Sequence, residues 1–335
     1  MTRSRGLIAG VLWLLVLAAP ADAQDLDPRA YVRVPVGLTF AISGFSFSSG
    51  AVLADPTLPV QNIHADVWTP SIGVAESFSL FGRTAQALAV LPYSWAHVTG
   101  DVAEETHRVD RSGLSDMRLR LSVLVAGAPA MTPQQLAVSA RKPVVGVSLM
   151  VSAPTGQYSP EHLVNLGSNR WAVKPEVALS YPVGEKWLID VYAGVWLPTT
   201  NGSFYPGTAT RSQAPIGALQ AHVSYSLSLK AWAAFDATWY AGGQASVDGV
   251  NRGATESNSR VGATLVFPIK SRHSIKVACS TGAVVQHGTD FTTLSVGWQT
   301  GWLNRRPAQK RDPNAEASKT GADHPKTTAG ARWCP

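Results

Sequence analysis

From Trp171 to Leu197 the chain repeats with a period of two. Trp171, Val173, Pro175, Val177, Leu179 and Tyr181 fall on one side, and Ala172, Lys174, Glu176, Ala178 and Ser180 on the other. After a turn at 182–186, Trp187, Ile189, Val191, Ala193, Val195 and Leu197 alternate with Leu188, Asp190, Tyr192, Gly194 and Trp196. This period belongs to strands, whose successive side chains point to opposite faces. A soluble sandwich also alternates, with its apolar face turned inward. Here the apolar face carries aromatic residues at both ends: Trp171 at one end, Tyr181 and Trp187 beside the turn. Aromatic residues at both ends of an apolar band suit the two interfaces of a bilayer. Mid-strand Lys, Glu and Asp cannot share that band, because a Lys or Arg facing lipid costs ~2–4 kcal/mol.

The chain begins like a secreted one. Arg3 and Arg5 precede an apolar run from Leu7 to Ala19, and Ala21-Asp22-Ala23 is a small-x-small cleavage site. Residues 1–23 therefore read as a cleaved secretory signal peptide, with 24–303 as the folded body and 304–335 as a polar, basic, disordered tail. Downstream no run approaches the ~18 apolar residues that a spanning helix needs. A membrane-embedded fold would then have to be a closed barrel, since open sheet edges do not survive in lipid. The net charge is +6, but the tail carries seven Lys or Arg against three Asp or Glu, and the leader two against one. That leaves +1 for the body, no basic footprint, and no nucleic-acid partner. Two cysteines, Cys279 and Cys334, are too few for a disulfide scaffold or a zinc site; they either stay unpaired or bridge each other.

Strand character recurs over 30–40, 63–79, 84–96, 113–125, 144–153, 171–181, 187–198, 215–227, 231–241, 257–267, 273–285 and 291–303. One short helix is expected at 131–140, where Thr132, Pro133 and Gln135 form a capping box with proline at the first helical position. Connections alternate in length. Short turns such as "LFGR", "VGEK", "SLK" and "IKSR" are separated by long polar connections at 41–62, 97–112, 154–170, 199–214 and 242–256. That pattern describes an all-β fold: a transmembrane antiparallel β-barrel of about twelve strands in the bacterial outer membrane, with short periplasmic turns and long extracellular loops. A β-sandwich or secreted β-solenoid is the alternative.

In the barrel reading one face of each strand lines a wet interior. The candidate pore-lining residues are Asp116, Arg118, Arg120, Lys174, Glu176, Asp190, Tyr192, Trp196, His222, Trp232, Asp236, Tyr240, Arg260 and Lys276. Charges of both signs could sort solutes along a path or neutralise one another in a plug. Tyr192, Trp196, Trp232 and Tyr240 could stack an aromatic solute or pack around an obstruction. Phe45, Phe47, Phe204 and Tyr205 are candidate lid aromatics in loops. No P-loop, Gly-x-Ser-x-Gly, His-Glu-x-x-His or calcium loop is present, and neither metal nor cofactor is expected. If "SLK" makes a three-residue turn, His222 faces Asp236 with Ser224 one step away, a constellation a lumenal hydrolase would use. A wall-stabilising His–Asp pair is the competing reading, and no enzyme activity is expected.

Four stretches carry a resemblance: "RVPVGLTFAISGFSFSSGAVLADPTLPVQN", "SGLSDMRLRLSVLVAGAPA", "VSAPTGQYSPEHLVNLGSNRWAVKPEVALSYPVG" and "SNSRVGATLVFPIKSRHSIKVACSTG". They resemble the putative MetA-pathway of phenol degradation family, outer-membrane proteins often labelled transporters, over about Pro28 to Leu303. The resemblance implies an outer-membrane barrel and passage of aromatic or other small apolar compounds; it carries over no site residues. "SVGWQTGW" at 295–302 also resembles the terminal signal that recruits barrels to the insertion machinery, though Thr300 stands where an apolar residue belongs and the tail follows. The expected partners are thus outer-membrane lipid, the insertion machinery and a small-molecule solute, and the expected function is passive transport. An adhesin or scaffold acting through its loops is the alternative.

Overall fold

The computed structural model describes residues 26–52, 60–102, 105–228, 230–252, 255–270, 272–285 and 289–304. Residues 1–23, expected as a signal peptide, Cys334 and nearly all of the tail lie outside them. Among the described residues no helix is long and apolar enough to cross a membrane; strands form the wall instead.

The wall is a closed antiparallel barrel of twelve staves. In chain order these are β1 (Leu38–Val52), β2 (Val60–Leu80), β3 (Arg83–Val102), β4 (Glu105–Leu114) continued by β5 (Met117–Ala126), β6 (Val144–Ala153), β7 (Ala172–Val183) and β8 (Trp187–Pro198). Two short strands, β9 (Asn201–Phe204) and β10 (Ala209–Gln213), precede β11 (Ile216–Ser226) and β12 (Trp232–Gly242). Then come short β13 (Ala245–Val247) and β14 (Val250–Arg252), and finally β15 (Glu256–Lys270), β16 (His273–Val284) and β17 (Thr289–Leu303). β4 and β5 both pair with β3 and form one stave, broken at Ser115-Asp116. The barrel closes where β1 meets β17, from Leu38↔Leu303 to Val52↔Thr289. β9, β10, β13 and β14 make a separate four-stranded sheet from the connections at the long-loop end.

Sidedness is inverted relative to a soluble core. Val177, Leu179, Val191, Leu219 and Phe235 are 40–58% exposed, while Lys174, Asp190, His222 and Asp236 are at most 1% exposed. Trp171, Tyr181, Trp187, Trp239, Trp298 and Trp302 stand on the exposed face, between 38% and 51% accessible. Apolar surface left bare on this scale finds its solvent in hydrocarbon, and the ionised face looks inward.

Three expectations need correction. The first strand, expected over 30–40, starts at Leu38 and runs to Val52. Residues 26–37 alternate as a strand would, but Pro28 and Pro35 lack the N–H that a central strand donates, and Gly37 at φ +82° redirects the chain into β1. Most of the connection expected at 97–112 is strand, as is the first part of 41–62. "SGFSFSSG" reads as a loop by composition, but it alternates as a strand: Phe45 and Phe47 share the outer face with Ser43 and Ser49, while Ser46 and Ser48 turn inward, so that Phe45 is exposed and Ser48 buried. Phe45 and Phe47 are therefore wall residues rather than loop lids. As a result β2 and β3, with 21 and 20 residues, rise above the 12-residue β7 and β8. Along the strand that is about 70 Å against about 40 Å.

The helix α1 (Pro133–Val138) sits in the connection between β5 and β6 at the short-turn end. Thr132 Oγ1 accepts from Gln135 N, and Gln135 Oε1 accepts from Thr132 N, closing the capping box.

Candidate functional site

The lumen is occupied over its short-turn half by residues 26–37, which fold inside the wall. Asp27 Oδ1 accepts from Lys276 Nζ at 2.9 Å, and its Oδ2 lies 3.5 Å from Arg120 Nη1. Arg29 donates from its backbone N to Asp190 Oδ2 (3.3 Å) and from Nη2 to Ser226 Oγ (2.9 Å), with its guanidinium 4.7 Å over the Trp232 ring. Tyr31 is fully buried. Its hydroxyl donates to Glu176 Oε1 (2.8 Å) and shares a hydrogen bond with Ser148 Oγ (2.7 Å). Its ring meets Tyr192 edge-on at 4.9 Å and carries the Arg120 guanidinium at 4.7 Å. Leu124, Ala128, Val144 and Ala178 complete the small apolar cluster around it. The segment is a plug, held by ion pairs at one end and an aromatic anchor in the middle.

The plug's electrostatics follow from these contacts. Enclosure in the lumen works to raise the Asp27 carboxyl, but its side chain is still half accessible from the cavity above. The nearby charges of Lys276 and Arg120 outweigh the enclosure and hold it at about 2. Burial pushes the Tyr31 phenol up to about 12; Arg120 opposes this and Glu176 adds to it. Tyr31 therefore stays a donor at any physiological pH.

The wall facing the plug is a connected polar network. Lys174 Nζ lies 2.9 Å from Glu176 Oε2, to which Gln220 Nε2 also donates at 3.3 Å. The Lys174 ammonium sits 5.3 Å over the Trp196 ring. Asp190 also accepts from Ser180 Oγ. The β11–β12 register sets His222 opposite Asp236, with Nδ1 2.8 Å from Oδ1, and Thr264 Oγ1 donates to Asp236 Oδ2 at 2.8 Å. Ser224 Oγ and His222 Nε2 are both buried without a hydrogen-bond partner, so they do not bond each other. A serine nucleophile needs that bond to be activated, and this geometry does not provide it. Among the described residues no group of three His, Cys, Asp or Glu could hold a metal ion. Cys279 is a free thiol on the exposed face.

Above the plug lies a cavity of about 940 Å³ that extends to the long-loop end. Leu26 and Asp27 form its floor with Asp236 and Lys276; Arg118, Trp196 and Tyr240 stand in its wall; Phe204 and Arg211 lie at its mouth. Residues 154–171 fold over it as a roof. Asp116, at the break between β4 and β5, fastens this roof: Oδ1 accepts from Gly156 N (2.9 Å), and Oδ2 accepts from Ser168 N (2.9 Å) and Ser168 Oγ (2.5 Å). Gly156 and Gly167 touch backbone to backbone, and a Cβ on Gly167 would come within 2.6 Å of Gly156. Asn201 ties the roof to the loop sheet, donating to Tyr158 Oη (2.9 Å) and accepting from Asn169 Nδ2 (2.9 Å).

The structure sorts the residues singled out from the sequence into two groups. Arg120, Lys174, Glu176, Asp190, Tyr192, His222 and Trp232 lie around the plug; Asp116, Arg118, Trp196 and Tyr240 lie around the cavity; Asp236 and Lys276 sit where the two meet. Arg260 stands apart, buried, with Nη2 on Ser280 Oγ at 3.3 Å. Sequence reasoning missed Asp27, Arg29 and Tyr31, whose prolines were the available signal. It also missed Arg170 and Arg211, which nothing in their local sequence distinguishes from solvated loop residues.

A closed barrel with a bare apolar exterior, aromatic residues at both rims and a charged interior defines a transmembrane β-barrel of the outer-membrane kind. The profile of the family described as "Putative MetA-pathway of phenol degradation" matches residues 44–305, and the chain belongs to that family. Among solved structures, an outer membrane channel from Pseudomonas putida F1 is similar, with 20% identity and a TM-score of 0.71 over 83% of this chain and 100% of that one. The transport unit of the autotransporter AIDA-I from Escherichia coli is similar at 10% identity and a TM-score of 0.50, over 87% of this chain and 97% of that one. No curated protein matches the sequence.

Proposed function

We propose that this protein is a passive outer-membrane channel for small solutes, aromatic or otherwise apolar compounds among them, which enter at the long-loop end and pass the plug. The observation that carries the reading is the 940 Å³ cavity inside a lipid-facing barrel, lined by charged groups together with Trp196 and Tyr240. A structural wall has no need of such a void, and interiors otherwise pack to crystal density. The long-loop end then faces outward and the plug sits on the periplasmic side. Export through the signal peptide 1–23 and insertion through the 295–302 segment belong to the same reading. Arg118, Arg120, Lys174, Glu176 and Asp236 are the lumen charges that set what passes.

The experiment is planar-bilayer recording of the mature chain beside a variant lacking residues 26–37. The wild-type barrel is expected to conduct weakly, the truncated one severalfold more, and Arg118→Glu to move ion selectivity toward cations. A truncated barrel that inserts but passes no current would refute the channel.

A further inference from the structure

Where β2, β3 and β4 pair at the long-loop end, the outer face of the wall is ordered in rows. Trp68, Trp95 and Ser112 stand opposite one another in one row, and Asp66, His97 and Asp110 in the next. The inner face of the same strands holds Ala65, Ser94 and Ala96, all buried. The rings of Trp95 and Tyr93, both exposed, are centred 5.0 Å apart, and those of Phe47 and Trp68 4.9 Å apart. The Trp68 ring also meets the His97 imidazole edge-on at 5.1 Å.

The height of these rows decides what they touch. Counted from the short turns, β8 crosses the bilayer in the 12 residues Trp187–Pro198, and Trp95 is the thirteenth residue of β3. Trp95 therefore marks the rim where hydrocarbon gives way to head groups. His97 is two residues further on, ~5 Å higher along a strand tilted ~45°, within a head-group layer ~5–8 Å deep.

A hollow of about 430 Å³ opens on this face, lined by Trp68, Trp95, His97, Asp110, Arg111 and Ser112. Its polar edge is prearranged. Arg108 Nε donates to Asp110 Oδ1 at 3.0 Å, Arg108 Nη2 lies 3.0 Å from His97 Nδ1, and His97 and Asp110 bond across the strand pair. An aromatic residue that only anchors a barrel presents its ring to lipid. Here two indoles floor a hollow whose other edge is made of donors and acceptors.

The geometry points to a binding site for the sugar head group of a glycolipid in the outer leaflet. A sugar ring offers C–H faces to the negative face of an indole, and hydroxyls that both donate and accept. A head group without a ring leaves the Trp68 and Trp95 floor unmatched. The volume suits a short saccharide, near the lower end of the ~300–1,000 Å³ of small-molecule pockets. Below the hollow the lipid-facing wall continues through Ile72 and Phe45, 65% and 46% exposed, where the acyl chains of the same molecule lie. The site rests on the channel reading only for which end of the barrel faces outward.

Native mass spectrometry of the full mature chain released from detergent micelles tests it. The probes are a deep-rough lipopolysaccharide, phosphatidylglycerol as an anionic lipid without sugar, and the deacylated saccharide of the same glycolipid. One glycolipid is expected to bind about tenfold more tightly than either of the others. Trp95→Ala is expected to weaken it about tenfold with phosphatidylglycerol unchanged, and Trp95→Phe to keep most of the binding. Trp171→Ala, elsewhere on the same rim, should leave it unaltered. Equal binding of glycolipid and phosphatidylglycerol, or an equal loss in Trp95→Ala and Trp171→Ala, would reduce the row to an aromatic belt and overturn the site. Deacylated saccharide bound as tightly as the glycolipid would make the occupant a solute, and overturn it likewise. Should Trp95→Ala not fold, judged by loss of its heat-modifiable gel mobility, the wild-type comparison of the three probes still decides. Selective glycolipid binding by a barrel that passes no current would remove the channel and leave this site; current without that selectivity would do the reverse.

Discussion

The two halves of the lumen use the same kinds of side chain to opposite ends. Near the short turns, Lys174, Glu176, Arg120 and Asp190 are met by partners on the wall or on residues 26–37, and the space between is filled. Near the long loops, Arg170 lines a void and keeps its buried Nη1 without a hydrogen-bond partner. A buried charge that is paired and hydrogen-bonded stabilises or specifies a structure, whereas one that borders empty space is available to a ligand. Charge inside a barrel is therefore no sign of a pore by itself; what faces the charge decides its role.

The contrast can be broken most sharply at Lys174. Replacing Lys174 by Ala leaves Glu176 buried against Tyr31 and Gln220 with its nearest cation gone, and breaking a buried pair in this way costs ~3–5 kcal/mol. Urea unfolding in detergent should show a loss of that size in global stability, and a loss below about 1 kcal/mol would mean that water reaches the pair. In the cavity half the expected effect is smaller and local. Asp116→Ala removes the acceptor of three roof hydrogen bonds, two of them solvent-exposed, where water replaces much of what is lost. Hydrogen exchange should accelerate across 154–171 and leave β7 and β8 protected; acceleration throughout the wall would erase the distinction between the halves.

The smallest effect lies where the halves meet. The folded carboxyl of Asp27, at about 2, is depressed below its ordinary value of 3.8. Its ion pairs therefore contribute in full above about pH 4 and are lost as pH falls toward 2. Hydrogen exchange of residues 28–34 should quicken through that window in the wild-type protein. In Asp27→Asn it should be fast and insensitive to pH over the same range. A wild-type segment equally protected at both ends of the window would place the plug's hold on Tyr31 alone.

Much of this was legible in the residues. Alternation at Val177/Glu176 or Phe235/Asp236 fixes which face of a strand meets lipid, because the cost of a charge in hydrocarbon is paid wherever the strand sits in the sheet. The His222–Asp236 register followed from a single turn length. "SGFSFSSG" failed because composition and period disagree there, and pairing with β17 and β2 favoured the period.

The sequence by itself determined most of the strands, their sidedness and the need to close the sheet, since these follow from neighbours two residues apart and from the solvent each face requires. Only the tertiary structure decided that 26–37 would fill the lumen rather than extend the wall, and that 154–171 would roof the space left over. Asp27 meets Lys276 across 249 positions of sequence, and Tyr31 meets Glu176 across 145. Contacts of that range leave no period in the chain; they exist once a closed barrel has brought its walls within reach of what lies inside.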